Sequence, residues 1–147
     1  MITGVSQGGQ RTWVSQDGGN TWTDLHSNGQ LTGSGAGRSE YAISSFKNAN
    51  GFYTLYACFV TNSGALKGVY RSIDNGTNWC QIGPGATTGF APFGDNTQGL
   101  YDCVIASHPT EDGCILGGID LWKWTQTPGA SCDNGQWEIV SSWAASP

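Results

Sequence analysis

A short box of residues occurs twice in this chain and limits the folds that the chain can adopt. The two copies are Ser15–Trp22 and Ser72–Trp79, and both follow the pattern Ser-x-Asp-x-Gly-x-(Thr/Asn)-Trp. Their aspartates lie 57 residues apart (74 − 17), and an incomplete third copy at Asp133–Trp137 follows 59 residues later (133 − 74). Self-similarity at a near-constant spacing indicates a repeated supersecondary unit.

The segments around each box are predicted to be β-strands. Short apolar or alternating runs bounded by Gly, Asn and Asp are typical of strands, and no window shows a 3.6-residue period. Such runs stand before the boxes, after them and further upstream: Arg11–Val14, Gly68–Arg71, Leu121–Trp124; Thr21–Leu25, Trp79–Ile82, Trp137–Val140; Tyr41–Phe46, Phe52–Val60, Tyr101–Ala106 and Cys114–Leu116. The sequence therefore predicts an all-β chain of eleven strands in four-stranded antiparallel meanders, divided into residues 1–27, 38–83 and 98–143. The first unit starts within residues 1–5 and lacks its opening strand.

Each box is predicted to close a hairpin between the third and fourth strands of its unit. The Asp carboxylate can accept hydrogen bonds from backbone N–H groups of its own turn, Gly provides a positive φ, and Trp packs beneath the turn. The residues with this structural role are Ser15, Asp17, Gly19, Thr21 and Trp22, then Ser72, Asp74, Gly76 and Trp79, and finally Asp133, Gly135 and Trp137. A calcium site needs several converging carboxylates, and one Asp per turn is too few, so no metal is expected.

Composition excludes several classes of protein. The chain has 147 residues, which is one domain or part of one. A net charge of -5 argues against binding to a phosphate backbone, so no nucleic-acid partner is expected. No run of 18 apolar residues is present, and we therefore expect no membrane span.

The cysteines leave two structural alternatives open. The five are Cys58, Cys80, Cys103, Cys114 and Cys132, none in a CxxC pair, and only two histidines accompany them, so a zinc site is not expected. Disulfides and buried thiols are equally compatible with the pattern, and the odd number leaves at least one thiol outside any pair within the chain. Low lysine content and abundant Ser, Thr, Asn and Gly favour an extracellular or cell-surface location. Residues 1–5 do not resemble a signal peptide, so we expect either that the signal was removed or that the chain is a piece of a longer protein.

The repeated box resembles the Asp-box, also called the BNR repeat. Proteins with this repeat are β-propellers and include sialidases, xyloglucan-cleaving endoglucanases, sortilin-type receptors and secreted bacterial proteins. The segments 98–110 and 117–123 are similar to large surface-secreted Asp-box proteins of gliding and polymer-degrading bacteria. The resemblance implies a bacterial β-propeller of four-stranded blades. It does not specify an activity, because enzymes, receptors and scaffolds share the box.

The number of predicted blades raises the question of closure. Propellers typically have about 4 to 8 blades, whereas this chain is predicted to hold about two and three-quarters. We therefore expect either a homo-oligomer or the remainder of a larger propeller to complete it. Two copies would supply about six blades, which is within the usual range.

Two long linkers, residues 26–40 and 83–99, carry the candidate ligand-binding groups. Connections of this length often carry function, although solvated spacer loops are the alternative. The candidates are Arg38, Glu40, Phe90, Phe93 and Asp95, together with Asp102 on a predicted strand. Aromatic faces beside amides and carboxylates suit sugars, so carbohydrate is the candidate ligand.

The residues favour a binding or scaffold module over an enzyme. The sialidase resemblance calls for an arginine triad, but the only arginines are Arg11, Arg38 and Arg71, and two of them precede boxes. A glycoside hydrolase acting within a complete propeller is the first alternative, and it would need two carboxylates about 5–9.5 Å apart. Candidate carboxylates are Glu40, Asp95, Asp102 and Asp120. A structural ring or surface-assembly protein without a ligand is the second alternative, and no cofactor is expected.

Overall fold

The computed structural model describes residues 1–5, 11–27, 31, 37–84, 89–94, 97–129 and 131–144. Within these ranges the chain forms eleven strands and one short helix, which confirms the all-β prediction. The elements in chain order are β1 Ile2–Val5, β2 Arg11–Val14, β3 Thr23–Asp24, β4 Arg38–Lys47, β5 Tyr53–Val60, β6 Leu66–Ser72, β7 Cys80–Gly83, α1 Gly99–Asp102, β8 Val104–Ser107, β9 Gly113–Gly117, β10 Leu121–Gln126 and β11 Gly135–Ser141.

The strands form three antiparallel sheets in which sequence neighbours pair. The first sheet has the order β1-β2-β3, the second β4-β5-β6-β7 and the third β8-β9-β10-β11. The first box lies between β2 and β3, the second links β6 to β7, and the third runs from the loop after β10 into β11. When the strands are counted back from the box, the first sheet has no strand equivalent to β4 of the second sheet or β8 of the third within the described residues.

Strand β5 lies at the centre of the fold because both of its faces are buried. Side chains alternate along a strand, so odd and even positions point to opposite sides of the sheet. Leu55, Ala57 and Phe59 belong to the apolar cluster with the first sheet, and Tyr56, Cys58 and Val60 belong to the cluster with the third. The three sheets therefore stack face to face, with the second sheet in the middle.

The interface between the second and third sheets contains a buried cation. Arg71 on β6 is 2% exposed and forms an ion pair with Asp112. Its Nη1 donates to Gln126 Oε1 and to the Cys132 carbonyl, each at 2.9 Å, and the guanidinium lies 5.1 Å from the Trp124 ring centroid. A buried charge needs such partners, because removing it from water without them is costly.

A disulfide joins the same two sheets. Cys80 on β7 is bonded to Cys132 in the loop before β11. Cys58, Cys103 and Cys114 are buried free thiols. Both alternatives that the sequence left open therefore occur in one chain.

The prediction of a strand over Tyr101–Ala106 is wrong at its start, because Gly99–Asp102 form one turn of helix and β8 begins at Val104. The N–H of Gly99 donates to the Gly64 carbonyl at 3.0 Å, which holds the turn against the loop between β5 and β6. A Cβ at Gly99 would lie 2.6 Å from that oxygen, so the approach requires glycine.

Candidate functional site

The described loops of the three sheets lie at two ends of the strands. The box hairpins form one of them, which we call the box end. At the other, the linker end, the loops after β5 and β9 meet the segments that precede β4 and β8. The N–H of Gly37 donates to Val60 O at 2.6 Å, and the N–H of Asp120 donates to Pro92 O at 3.2 Å.

In the first box, one carboxylate organises the turn. Asp17 Oδ1 accepts from Ser15 Oγ and from Thr21 N, both at 2.9 Å, and its Oδ2 accepts from Thr21 Oγ1 at 2.6 Å. The Thr21 hydroxyl and N–H, followed by Ser15, hold the pKa of Asp17 well below its usual range. Gly19 has φ 100° and Trp22 Nε1 donates to its carbonyl at 3.0 Å.

The second box repeats this arrangement with a different side chain in the place of threonine. Asp74 accepts from Ser72 Oγ at 2.8 Å, from Asn78 N at 2.8 Å and from Asn78 Nδ2 at 2.7 Å. Burial opposes ionisation, but the hydrogen bonds from Asn78 and Ser72 outweigh it and lower the pKa of Asp74. Gly76 has φ 90°, and its carbonyl accepts from Trp79 Nε1 at 3.1 Å.

The third box keeps only part of the arrangement. Ser131 Oγ donates to Asp133 Oδ1 at 2.6 Å. Trp137 Nε1 donates to the Ile82 carbonyl on the second sheet, whereas the other two box tryptophans bond within their own turns. The prediction of a positive φ at Gly135 is wrong, because this residue lies in β11 and is not among the glycines with positive φ. The loop before β11 changes the turn, and Trp137 becomes part of the core between the sheets.

At the linker end, Arg38 connects Glu40, another of the predicted ligand-binding residues, to α1. Its guanidinium contacts Glu40 Oε1 from Nη2 at 2.8 Å and from Nε at 2.9 Å. Its Nη1 donates to the carbonyls of Leu100 and Tyr101, each at 2.9 Å. These are carbonyls at the end of α1 that the helix itself leaves without partners.

The same helix presents Tyr101 and Asp102 to solvent. Tyr101 is 77% exposed and Asp102 is also exposed. Sequence reasoning missed Tyr101 because neighbouring residues of a strand point to opposite faces, and a helical turn removes that constraint. We call Arg38, Glu40, Tyr101 and Asp102 the linker-end cluster. It combines guanidinium donors, carboxylate acceptors and an exposed aromatic ring.

Of the two predicted ligand-binding phenylalanines, Phe93 is a core residue and Phe90 is half-buried and packs against the core. Phe93 is 0% exposed and packs between the second and third sheets. Phe90 lies 4.5 Å from the Trp137 ring and 5.1 Å from the Trp122 ring, measured between centroids. The expectation that these rings bind a ligand is corrected here, because both pack against the interface between the second and third sheets. The candidate Asp95 lies outside the described residues.

The three arginines and the candidate carboxylate Asp120 each have their own partner. Arg11 pairs with Asp24 on the first sheet. Arg38 and Arg71 have their own carboxylate partners, described above, so the three guanidinium groups are not directed at one point. Asp120 Oδ1 accepts from the N–H of Trp143 at 3.0 Å, which ties the segment after β11 to the loop after β9.

A half-open cavity lies at the box end, between the first and second sheets. Its volume is ≈ 320 Å³. Its lining is mostly apolar and consists of Met1, Val14, Ser15, Gln16, Ile43, Tyr53, Leu55 and Asn75. It lies away from the linker-end cluster.

Within the described part of the chain, no group of three His, Cys, Asp or Glu side chains could hold a metal ion. No helix among those residues is long and apolar enough to cross a membrane. Comparisons with protein-family models, with curated proteins and with solved structures found no match.

Proposed function

We propose that this chain is a segment of an Asp-box β-propeller and acts as an extracellular binding or scaffold module with carbohydrate as its ligand. The stacking of three sheets in chain order supports the propeller. The first strands of the second and third sheets, β4 and β8, lie beside each other, as expected for blades around a common axis. The two equivalent boxes with equivalent hydrogen bonds support the Asp-box assignment.

The linker-end cluster is the observation that carries the ligand proposal. A polyhydroxylated ligand needs acceptors and donors for its hydroxyls and an apolar surface for its ring. Glu40 and Asp102 supply acceptors, Arg38 supplies its remaining Nη2 N–H as a donor, and Tyr101 supplies an exposed aromatic face that costs little side-chain entropy to order. Because Arg38 is already fixed by Glu40 and by two carbonyls, the cluster is preorganised.

Binding to a panel of soluble polysaccharides, measured by calorimetry, tests this proposal. We expect Tyr101→Ala to weaken binding by about tenfold or more, the effect of losing about 1.4 kcal/mol of contact energy. Tyr53→Ala is the matched control, because Tyr53 is also an exposed tyrosine but lies at the start of β5, beside the cavity at the box end. We expect that variant to bind like the wild type.

Three outcomes would contradict parts of this proposal. Equal binding by the wild type and Tyr101→Ala would move the site away from the linker end. Failure of every polysaccharide to bind would favour the structural alternative. Turnover of a chromogenic glycoside that is lost in Asp102→Asn would favour the glycoside hydrolase.

We further propose that another blade covers the outer face of the third sheet. Val104, Leu121 and Val140 are 55%, 41% and 50% exposed, although they are large apolar residues of a sheet. Val104 and Leu121 alternate with residues buried against the second sheet, so they form part of the opposite face. Copies of this chain or further blades of a longer chain would bury this face. Light scattering across dilution tests it: a stable mass of two or three times 15.5 kDa supports copies, and a monomer that aggregates when concentrated supports a longer chain.

A further inference from the structure

Two buried thiols face each other across the interface between the second and third sheets. Cys58 lies on β5, and Cys103 lies between α1 and β8. Their sulfur atoms are 3.6 Å apart. We propose that Cys58 and Cys103 form a second disulfide between these sheets, in addition to Cys80–Cys132, and that Cys114 is the single unpaired thiol.

The geometry requires only a small movement. A disulfide has an S–S distance of about 2.0 Å, so the two sulfurs need to approach by about 1.6 Å. Strands β5 and β8 lie close together, so the backbones that carry the two cysteines are already neighbours. Both side chains are fully buried, at 0% and 2% exposure, and the bond would be enclosed by the apolar cluster of this interface.

Cys114 is the less suitable partner. It lies on β9, opposite Ser107 of β8 and Trp124 of β10. The direct sulfur contact of Cys58 is with Cys103. Cys114 is also fully buried, and this burial raises the pKa of its thiol, so it is not a ready nucleophile in the folded chain.

The bond would form by exchange with an external disulfide, such as oxidised glutathione. One thiolate of the pair attacks the external disulfide and releases one small thiol. The second thiolate then attacks the mixed disulfide and releases the other. Two cysteine thiols are oxidised and one external disulfide is reduced to two thiols, so electrons and protons balance.

The timing of this exchange follows from burial. The contact with Cys103, followed by burial, raises the pKa of Cys58 well above its usual range, so Cys58 holds almost no thiolate in the folded interface. Both sulfurs are also enclosed there, at 0% and 2% exposure, where an external disulfide cannot reach them. Exchange must therefore take place before the second and third sheets close on each other. Because Cys103 directly follows α1, the bond would also anchor the helical turn that carries Tyr101 and Asp102 to the central sheet.

Thiol counting on the unfolded, unreduced protein tests this proposal. The protein is produced under oxidising conditions, unfolded in guanidinium without reductant, alkylated and weighed by mass spectrometry. With two disulfides, one of five cysteines is labelled (5 − 4). With Cys80–Cys132 alone, three are labelled (5 − 2), and that result would overturn the proposal.

Matched variants identify the pair. Cys103→Ala should raise the number of labelled thiols from one in the wild type to two, those of Cys58 and Cys114, whereas with Cys80–Cys132 as the only disulfide the number would fall from three to two. Cys114→Ala, the control at an equally buried thiol, should expose none if the proposal holds and two if it does not. Peptide mapping that joins Cys114 to either of the others would also contradict it. This readout does not depend on any ligand, so it is separate from the test of the proposed function.

Discussion

Replacing Asp74 with asparagine tests whether the carboxylate, and not merely a polar side chain, holds the second box together. Asparagine has the same shape and keeps one carbonyl oxygen. That oxygen can still accept from Ser72 Oγ and from the N–H of Asn78. The amide that replaces the second oxygen would face Asn78 Nδ2, which now donates to Asp74 at 2.7 Å, so two donors would oppose each other.

The expected loss of stability follows from this one bond. A hydrogen bond to a charged group contributes about 1.5–3 kcal/mol. Asp74 is only partly buried, so solvent screening reduces the loss to about 1–2 kcal/mol in the free energy of unfolding. For a chain of this length, that corresponds to a fall in Tm of about 3–8 °C.

The effect should also depend on pH. The folded pKa of Asp74 is lowered, so its contribution is fully present above the unfolded value of about 3.9 and is lost as the pH falls through the folded value. The wild type and Asp74→Asn should therefore differ at pH 7 and converge in strong acid.

Urea unfolding followed by tryptophan fluorescence measures these differences, because Trp79 lies in the same box. Asp102→Asn is the matched control: it removes the same charge from an exposed position on α1 and should change stability by less than about 0.5 kcal/mol. If Asp74→Asn and Asp102→Asn behave alike at pH 7, the box carboxylate does not stabilise the hairpin and the reasoning fails.

Three further predictions concern the interface between the second and third sheets. Arg71→Ala should lower the free energy of unfolding, measured in urea, by about 2–3 kcal/mol. This is less than for a fully buried pair, because Asp112 keeps about a third of its side chain exposed. A loss under about 0.5 kcal/mol would show that the fold does not need the cation. Cys80→Ser removes the disulfide that closes a ring of 53 residues (132 − 80 + 1). The free energy of unfolding should fall by up to about 4 kcal/mol, because the unfolded chain gains conformational entropy. The same urea titration compares this variant with Cys114→Ala, and equal losses in the two would contradict the prediction. Phe93→Ala should lower the free energy of unfolding by about 3–5 kcal/mol in calorimetry, as expected for a fully buried ring. An unchanged Tm would contradict the burial of Phe93 in the core.

The repeated box was readable from the sequence because its contacts are local. Ser15, Asp17 and Thr21 lie within one turn, so their spacing alone places the carboxylate near the N–H groups that it accepts from. The strands were readable for the same reason, since runs of apolar residues bounded by Gly and Asn depend on neighbours in the chain. The contact between Arg38 and Glu40 is also local, because the two residues lie two positions apart on β4.

The candidate site was only partly predictable. The sequence named Arg38, Glu40 and Asp102, but it assigned Tyr101 to a strand and Phe93 to a ligand platform. The helical turn depends on the contact of Gly99 with Gly64, 35 positions away (99 − 64), and no local pattern reports such a contact.

Tertiary structure alone decided which distant residues meet across the sheets. Arg71 contacts Asp112 over 41 positions and Cys80 bonds to Cys132 over 52, and neither pairing has a sequence signal. Local hydrogen bonds and apolar alternation involve residues that are close in the chain, so a short stretch of sequence is enough to predict them. The pairing of faces depends on how whole sheets stack, because only stacking removes both faces of β5 from water.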